Sequence, residues 1–185
     1  MDACQPRVVN GLSVDVEAWF QVGAFEGVID RHSWDTLSDR VERNVARILD
    51  LFAACDVHGT FFTLGWVAER HGPLMRRIAD AGHEIASHGW DHARVFTLGR
   101  DAFARDVERA RKVLEDVSGV AVTGYRAPSF SIDHRTPWAY AVLAEQGYAY
   151  SSSVAPIAHD HYGWRDAPRF AFRPLAWSPC WAGWR

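Results

Sequence analysis

Two hydrophobic periods alternate along this chain, and that alternation limits what it can fold into more than any other feature. Short β-rich runs occur at residues 7–16, 58–64, 83–86, 120–123 and 148–150. Between them lie longer segments whose apolar residues recur every three or four positions. Such a sequence predicts successive strand–helix units and an α/β fold with a mainly parallel sheet or barrel. Leu37, Val41, Val45, Ile48 and Phe52 predict a helix over 37–54, with Thr36 and Asp39 resembling a capping box. Pro73 suits the first turn of a helix ending near Gly82, after a break at residues 71–73. Phe103, Val107, Ala110, Leu114 and Val117 predict a helix over 100–117. A further helix is expected with Thr136 as N-cap, Pro137 at its first position and Gly147 past its end. Residues 23–35 read as a loop.

The polar clusters of interest each follow a strand, so such a fold gathers them at one face. The first is Asp15 and Glu17, at the end of the first strand, which alternation places on the same side. The second is Ser87-His88-Gly89-Trp90-Asp91-His92 after the third strand, where helical spacing of four residues puts both imidazoles on one side. The third, Gly124-Tyr125-Arg126-Ala127-Pro128-Ser129-Phe130, follows the fourth strand, and Ser151-Ser152-Ser153 follows the fifth. Two histidines and a carboxylate make a three-ligand metal site that leaves one position open for water or substrate. Of the two carboxylates, one can bind metal while the other takes a proton from water, and Arg126 can hold that base ionised and aimed. Solvated strand ends and a surface ion pair are the plainer readings of the same residues.

Several classes are excluded. The net charge of −3, without a basic run, gives no footprint for nucleic acid. No apolar stretch is long enough to span a bilayer. The N-terminal residues contain no secretory signal, which leads to the expectation of a cytoplasmic protein. Cys4, Cys55 and Cys180 have no zinc-finger spacing and read as reduced thiols.

In order along the chain stand Ser13-Val14-Asp15-Val16-Glu17, Gly59-Thr60-Phe61-Phe62, Gly82-His83-Glu84-Ile85-Ala86-Ser87-His88 with His92, and Tyr125-Arg126-Ala127-Pro128-Ser129-Phe130. This ordered set resembles the motifs of the polysaccharide deacetylase (NodB-homology) superfamily over residues 8–174, and is most similar to the subgroup linked to exopolysaccharide and exosortase loci. The resemblance implies a distorted (β/α) barrel that removes N-acetyl groups from an amino-sugar polymer or oligosaccharide. It implies Asp15 as base, Arg126 as its orienter, and Glu17, His88 and His92 as ligands to a divalent metal: zinc, with cobalt, nickel or iron as alternatives. Pro128 and Phe130 would face the substrate, with the Phe130 N–H helping to bind the oxyanion.

The chain departs from the family pattern in places. Val16 separates the two acidic residues, Gly89 stands where a Ser or Thr is common, Phe130 replaces a Tyr, and Ser151 replaces an expected aspartate. No Leu-x-x-His motif, whose histidine protonates the leaving amine, follows Pro174. His159 and His161 precede that place and read as surface residues. The domain is therefore expected at 1–174 with a barrel incomplete at its C-terminus, followed by a Trp-rich tail at 175–185. That tail reads either as a sugar-stacking platform or, given its lack of periodicity, as an aberrant end. Two further readings stay open: a catalytically weak domain that binds glycan or a partner, and an allantoinase-like hydrolase of a small cyclic amide.

Overall fold

A computed structural model describes residues 10–160 and 162–174. Five short strands form one sheet in the order β1-β2-β3-β4-β5, all neighbours parallel: Ser13–Val16, Thr60–Thr63, Glu84–Ser87, Gly124–Tyr125 and Tyr150–Ser151. Strands laid down in sequence order are those of a barrel wall. Among the described residues the wall does not close, and β1 and β5 are its edges. No helix among the described residues is long and apolar enough to cross a membrane.

The connecting helices are α1 (Val41–Ala54), α2 (Gly65–Arg70), α3 (Gly72–Asp80), α4 (Arg100–Ser118) and α5 (Ala139–Glu145). Helix α4 is the main buttress. Phe103, Val107, Ala110 and Leu114 recur at helical spacing and are fully buried, and the helix stops at Gly119, whose φ of +77° is left-handed. Its apolar stripe joins Phe61 and Ile85, register partners on β2 and β3, in the core. Each such side chain taken from water contributes about 1.5–3 kcal/mol.

Most expected elements occur, with shifted limits. Helix α1 begins at Val41 rather than residue 37, because residues 31–36 turn as a 3-10 segment (Arg31–Thr36) and Asp39 Oδ1 accepts the Val41 N–H at 3.1 Å. The expected loop at 23–35 thus holds two 3-10 turns. The fourth strand lies after Val120–Thr123, at Gly124–Tyr125, since that dipeptide is the one in register with both Ser87 and Tyr150–Ser151. Pairing overrides local β preference there. Helix α5 starts at Ala139, with Thr136 used in the preceding turn. Cys55 is a free, exposed thiol; Cys4, Cys180 and the tail at 175–185 lie outside the described residues.

Candidate metal centre

Register decides what meets at the C-terminal rim of the sheet. Val16, Thr63, Ser87, Tyr125 and Ser151 stand side by side in one row across the five strands. The residues that follow on four of those strands are Glu17, His88, Arg126 and Ser152. Polar side chains far apart in sequence therefore share one edge.

His88 is 2% exposed, and its Nδ1 lies 2.8 Å from the Arg126 carbonyl oxygen. A carbonyl only accepts, so Nδ1 carries the proton and Nε2 keeps its lone pair. His92 reaches the same point by a different route from the expected helical turn. Residues 88–94 are not helical; Gly89 at φ +80° and His92 at φ +64° bend the chain so that the two rings lie 5.5 Å apart, centre to centre. The spacing of four is thus correct and its expected cause is not: a loop with two left-handed residues, not a helix face, brings the pair together.

Glu17 Oε2 lies 3.1 Å from His92 Nε2. That separation suits an ion pair, yet burial works against both charges. Desolvation and then the Asp15 charge push Glu17 up to about 7. Desolvation, followed by His88, Arg31 and Arg94, pushes His92 down to about 3, and burial also lowers His88. Moreover, Glu17 Oε2 is buried and accepts no hydrogen bond. The contact is therefore not a stabilising salt bridge but a convergence of lone pairs. Ligand atoms of Glu17, His88 and His92 all lie within 4.8 Å of one another. Two imidazole nitrogens and a carboxylate oxygen, one imidazole already oriented by a backbone carbonyl, fit a divalent metal ion.

Beside this trio, Arg126 Nη1 donates to Asp15 Oδ1 at 2.7 Å. The guanidinium is itself fixed: Nη2 donates to Ser13 Oγ at 3.0 Å and Ser152 Oγ at 2.9 Å, and Cζ lies 4.0 Å from the Phe62 ring centre. Asp15 and Phe62 are register partners, so strand pairing sets the platform on which Arg126 rests. The serine run closes the arrangement. Ser153 Oγ accepts the Ala127 N–H at 2.9 Å and shares a 2.6 Å contact with Ser151 Oγ. Ser152 and Ser153 thus serve the site, a part that could have been suspected only from three hydroxyls directly following a strand.

The loop bearing both histidines is gripped through its backbone. The His88 N–H donates to the Thr63 carbonyl, and the first N–H groups of α2, on Gly65 and Trp66, donate to the Gly89 and Trp90 carbonyls, each at 2.9 Å. These donors have no partner inside a helix, so the loop satisfies them. Asp91 is paired with Arg31. Asp106 of α4 accepts the Trp90 N–H at 3.1 Å. It interrupts the apolar stripe between Phe103 and Val107, a sequence signal that singles it out.

The remaining site candidates fall nearby with different uses. Pro128 Cγ lies 3.8 Å from where a Cβ on Gly89 would stand, so it backs the loop. The Phe130 N–H donates to the Ala127 carbonyl at 3.0 Å within a turn. The expected oxyanion donor is thus placed in a turn that follows Arg126. His159 is exposed and stacks on Tyr162 at 4.2 Å, while His161 lies outside the described residues. A cavity of about 520 Å³, walled by Phe20, Gln21, Ile29, Trp34 and Arg94, reaches His92, and one of about 280 Å³ opens on Asp15 and Glu17. The trio has open space on two sides.

Residues 29–151 match the family described as Polysaccharide deacetylase. The chain belongs to that family. Asp15 and Glu17 precede the matched span, whereas His88, His92 and Arg126 lie inside it. The polysaccharide deacetylase domain is 27% identical over 150 residues to the peptidoglycan deacetylase of Helicobacter pylori, covering 80% of this chain and 49% of the relative. It is 34% identical over 131 residues to the chitooligosaccharide deacetylase of Sinorhizobium fredii, covering 69% and 53%. The chain thus spans about half the length of these relatives. Among solved structures, a provisionally assigned polysaccharide deacetylase from Mycobacterium smegmatis superposes with a TM-score of 0.63 at 32% identity, over 78% of this chain and 50% of that one. A CE4 family pseudoenzyme from Bacillus anthracis, at 20% identity and a TM-score of 0.58 over 76% and 41%, shares the fold.

Proposed function

We propose that this domain hydrolyses the N-acetyl amide of an amino-sugar polymer, with zinc held by Glu17, His88 and His92 and with Asp15 as base. The reading rests above all on the convergence of those three donors beside an aspartate that an arginine holds in place. The names of the Helicobacter and Sinorhizobium relatives support an acetylated glycan as substrate class. Within that class, an exopolysaccharide bearing N-acetylated sugars is the substrate we favour.

A divalent ion held by Glu17, His88 and His92 would supply Lewis acidity for the acetyl carbonyl and for water near neutral pH. The chain's own residues do the rest. Arg126 occupies Asp15 Oδ1, so Oδ2 is the oxygen open to take the proton from the attacking water. Ser13 and Ser152 keep the Arg126 guanidinium against Asp15 and so fix the aim of its carboxylate. His88 is locked by the Arg126 carbonyl in the tautomer that offers Nε2. Water adds to the acetyl carbon, the C–N bond breaks, and the proton gathered at Asp15 is available to the departing amine. The products are acetate and a free amino sugar.

The test is acetate release from acetylated chito-oligosaccharides by protein reconstituted with zinc or cobalt, against an Asp15→Asn control. Metal-dependent release that vanishes in the control is expected. Metal content measured in a His88→Ala, His92→Ala variant checks the ligands separately, and unchanged content there would sink that assignment. Glycan binding with no acetate released would replace the enzymatic reading with a binding one.

A further inference from the structure

The loop carrying His88 and His92 has one backbone donor whose partner comes from outside the sheet rim: the Trp90 N–H, bonded to Asp106 Oδ2 at 3.1 Å. The same oxygen would lie 3.0 Å from a Cβ on Gly89. The carboxylate is therefore pressed into the space that a side chain at position 89 would need. With φ at +80°, glycine is also the residue best suited to the bend. The indole of Trp90 lies against α2 on one side, where a Cβ on Gly65 would stand 2.5 Å from its Cε3, and carries the Arg109 guanidinium 3.3 Å from the ring centre. Trp90 lies midway between the two histidines, so whatever fixes its backbone fixes the angle at which His92 faces His88.

We infer that Asp106 is a positioning residue for the metal centre: through the Trp90 N–H it holds the His88–His92 loop in the shape that brings the two imidazoles together. The inference rests on the proposed ligand set of Glu17, His88 and His92. An acceptor, rather than a charge, is what the contact uses. Burial, then the Asp91 charge, pushes Asp106 up to about 7, so a neutral amide is a close replacement. Losing an outer partner that orients metal ligands typically weakens metal binding about 10- to 100-fold.

The experiment is zinc affinity by competition with a chromogenic chelator, in wild type, Asp106→Ala and Asp106→Asn, alongside the absorption spectrum of the cobalt-loaded proteins. Thermal melts in chelator show that each variant is folded. The expected result is about 10- to 100-fold weaker zinc for the alanine variant, an altered cobalt spectrum, and binding within about threefold of wild type for the asparagine variant. An alanine variant that binds zinc as wild type does, or an asparagine variant as weak as alanine, overturns the inference. Should the alanine variant not fold, Asp106→Leu keeps the volume and removes the acceptor; it too should bind zinc more weakly, and unchanged affinity counts against the proposal. If wild type itself binds no zinc, the ligand assignment has failed rather than the role of Asp106.

Discussion

Replacing Gly65 by alanine should destabilise the domain and loosen its metal site, although alanine is the better helix former. Gly65 opens α2, and its φ is not left-handed, so alanine meets no backbone obstacle. Taken alone, the change should stabilise by about 0.4–1 kcal/mol through the unfolded chain. Space decides otherwise. The new Cβ would lie 2.5 Å from Trp90 Cε3, 2.9 Å from Cζ3 and 3.1 Å from the Ala110 Cα. Ordinary carbon contacts are about 3.5–4.0 Å, so either the indole or α2 must move by roughly 1 Å, and the backbone of α4 blocks retreat on the other side. Overpacking of this kind costs about 1–3 kcal/mol. With rigid groups on both sides the upper end applies, leaving a net loss of about 2 kcal/mol and a melting temperature lower by roughly 4–8 °C. Gly72→Ala is the control, since its Cβ would meet nothing closer than Val117 Cβ at 3.6 Å. Calorimetry of both variants in chelator should show a fall for the first and no change or a small rise for the second. A Gly65→Ala protein that melts at or above wild type would refute the packing argument. Zinc affinity should fall with stability, because Gly65 and Trp66 hold the Gly89 and Trp90 carbonyls.

Arg126→Lys keeps a positive charge but not the fork that reaches Asp15, Ser13 and Ser152 together; acetate release should drop about 100-fold or more, while zinc affinity, read by chelator competition, changes little. Zinc at about 100 times its Kd should stabilise the protein by about 2.7 kcal/mol, a rise in melting temperature of roughly 5–11 °C, and the rise should vanish in His92→Ala. In metal-free protein Asp106, facing Asp91, Arg31 and Arg109, has its folded-state pKa raised to about 7. The folded state then keeps a proton that the unfolded state releases, so this contribution to stability is whole below about pH 4 and is lost as pH rises towards 7. Denaturant unfolding across that window should show a shallower decline for Asp106→Asn than for wild type, and parallel curves would count against the shift.

The sequence by itself determined the alternation of strands and helices, because a period of 2 and a period of 3.6 are written in the apolar residues. It also determined which residues are candidates: Asp15, Glu17, His88, His92 and Arg126 each follow or end a β-rich run, and parallel strands deliver such residues to one rim. Only the tertiary structure decided how they meet. A spacing of four positions from one histidine to the next suggested a helix turn, but left-handed Gly89 and His92 do that work, and backbone angles of isolated loop residues leave little trace in periodicity. The strand at Gly124–Tyr125 arises from pairing with β3 and β5, so local β preference misplaced it. The turn that joins the Phe130 N–H to the Ala127 carbonyl is likewise a product of the fold. Asp106 stands furthest from what the sequence could say. Its place in an apolar stripe marks it as unusual, but its partner is a backbone N–H 16 residues away, and a hydrogen bond to backbone leaves no complementary residue type to find. Local chemistry is carried by residue identity; the convergence of that chemistry depends on strand register and on which buried donors find acceptors, and both are properties of the folded chain.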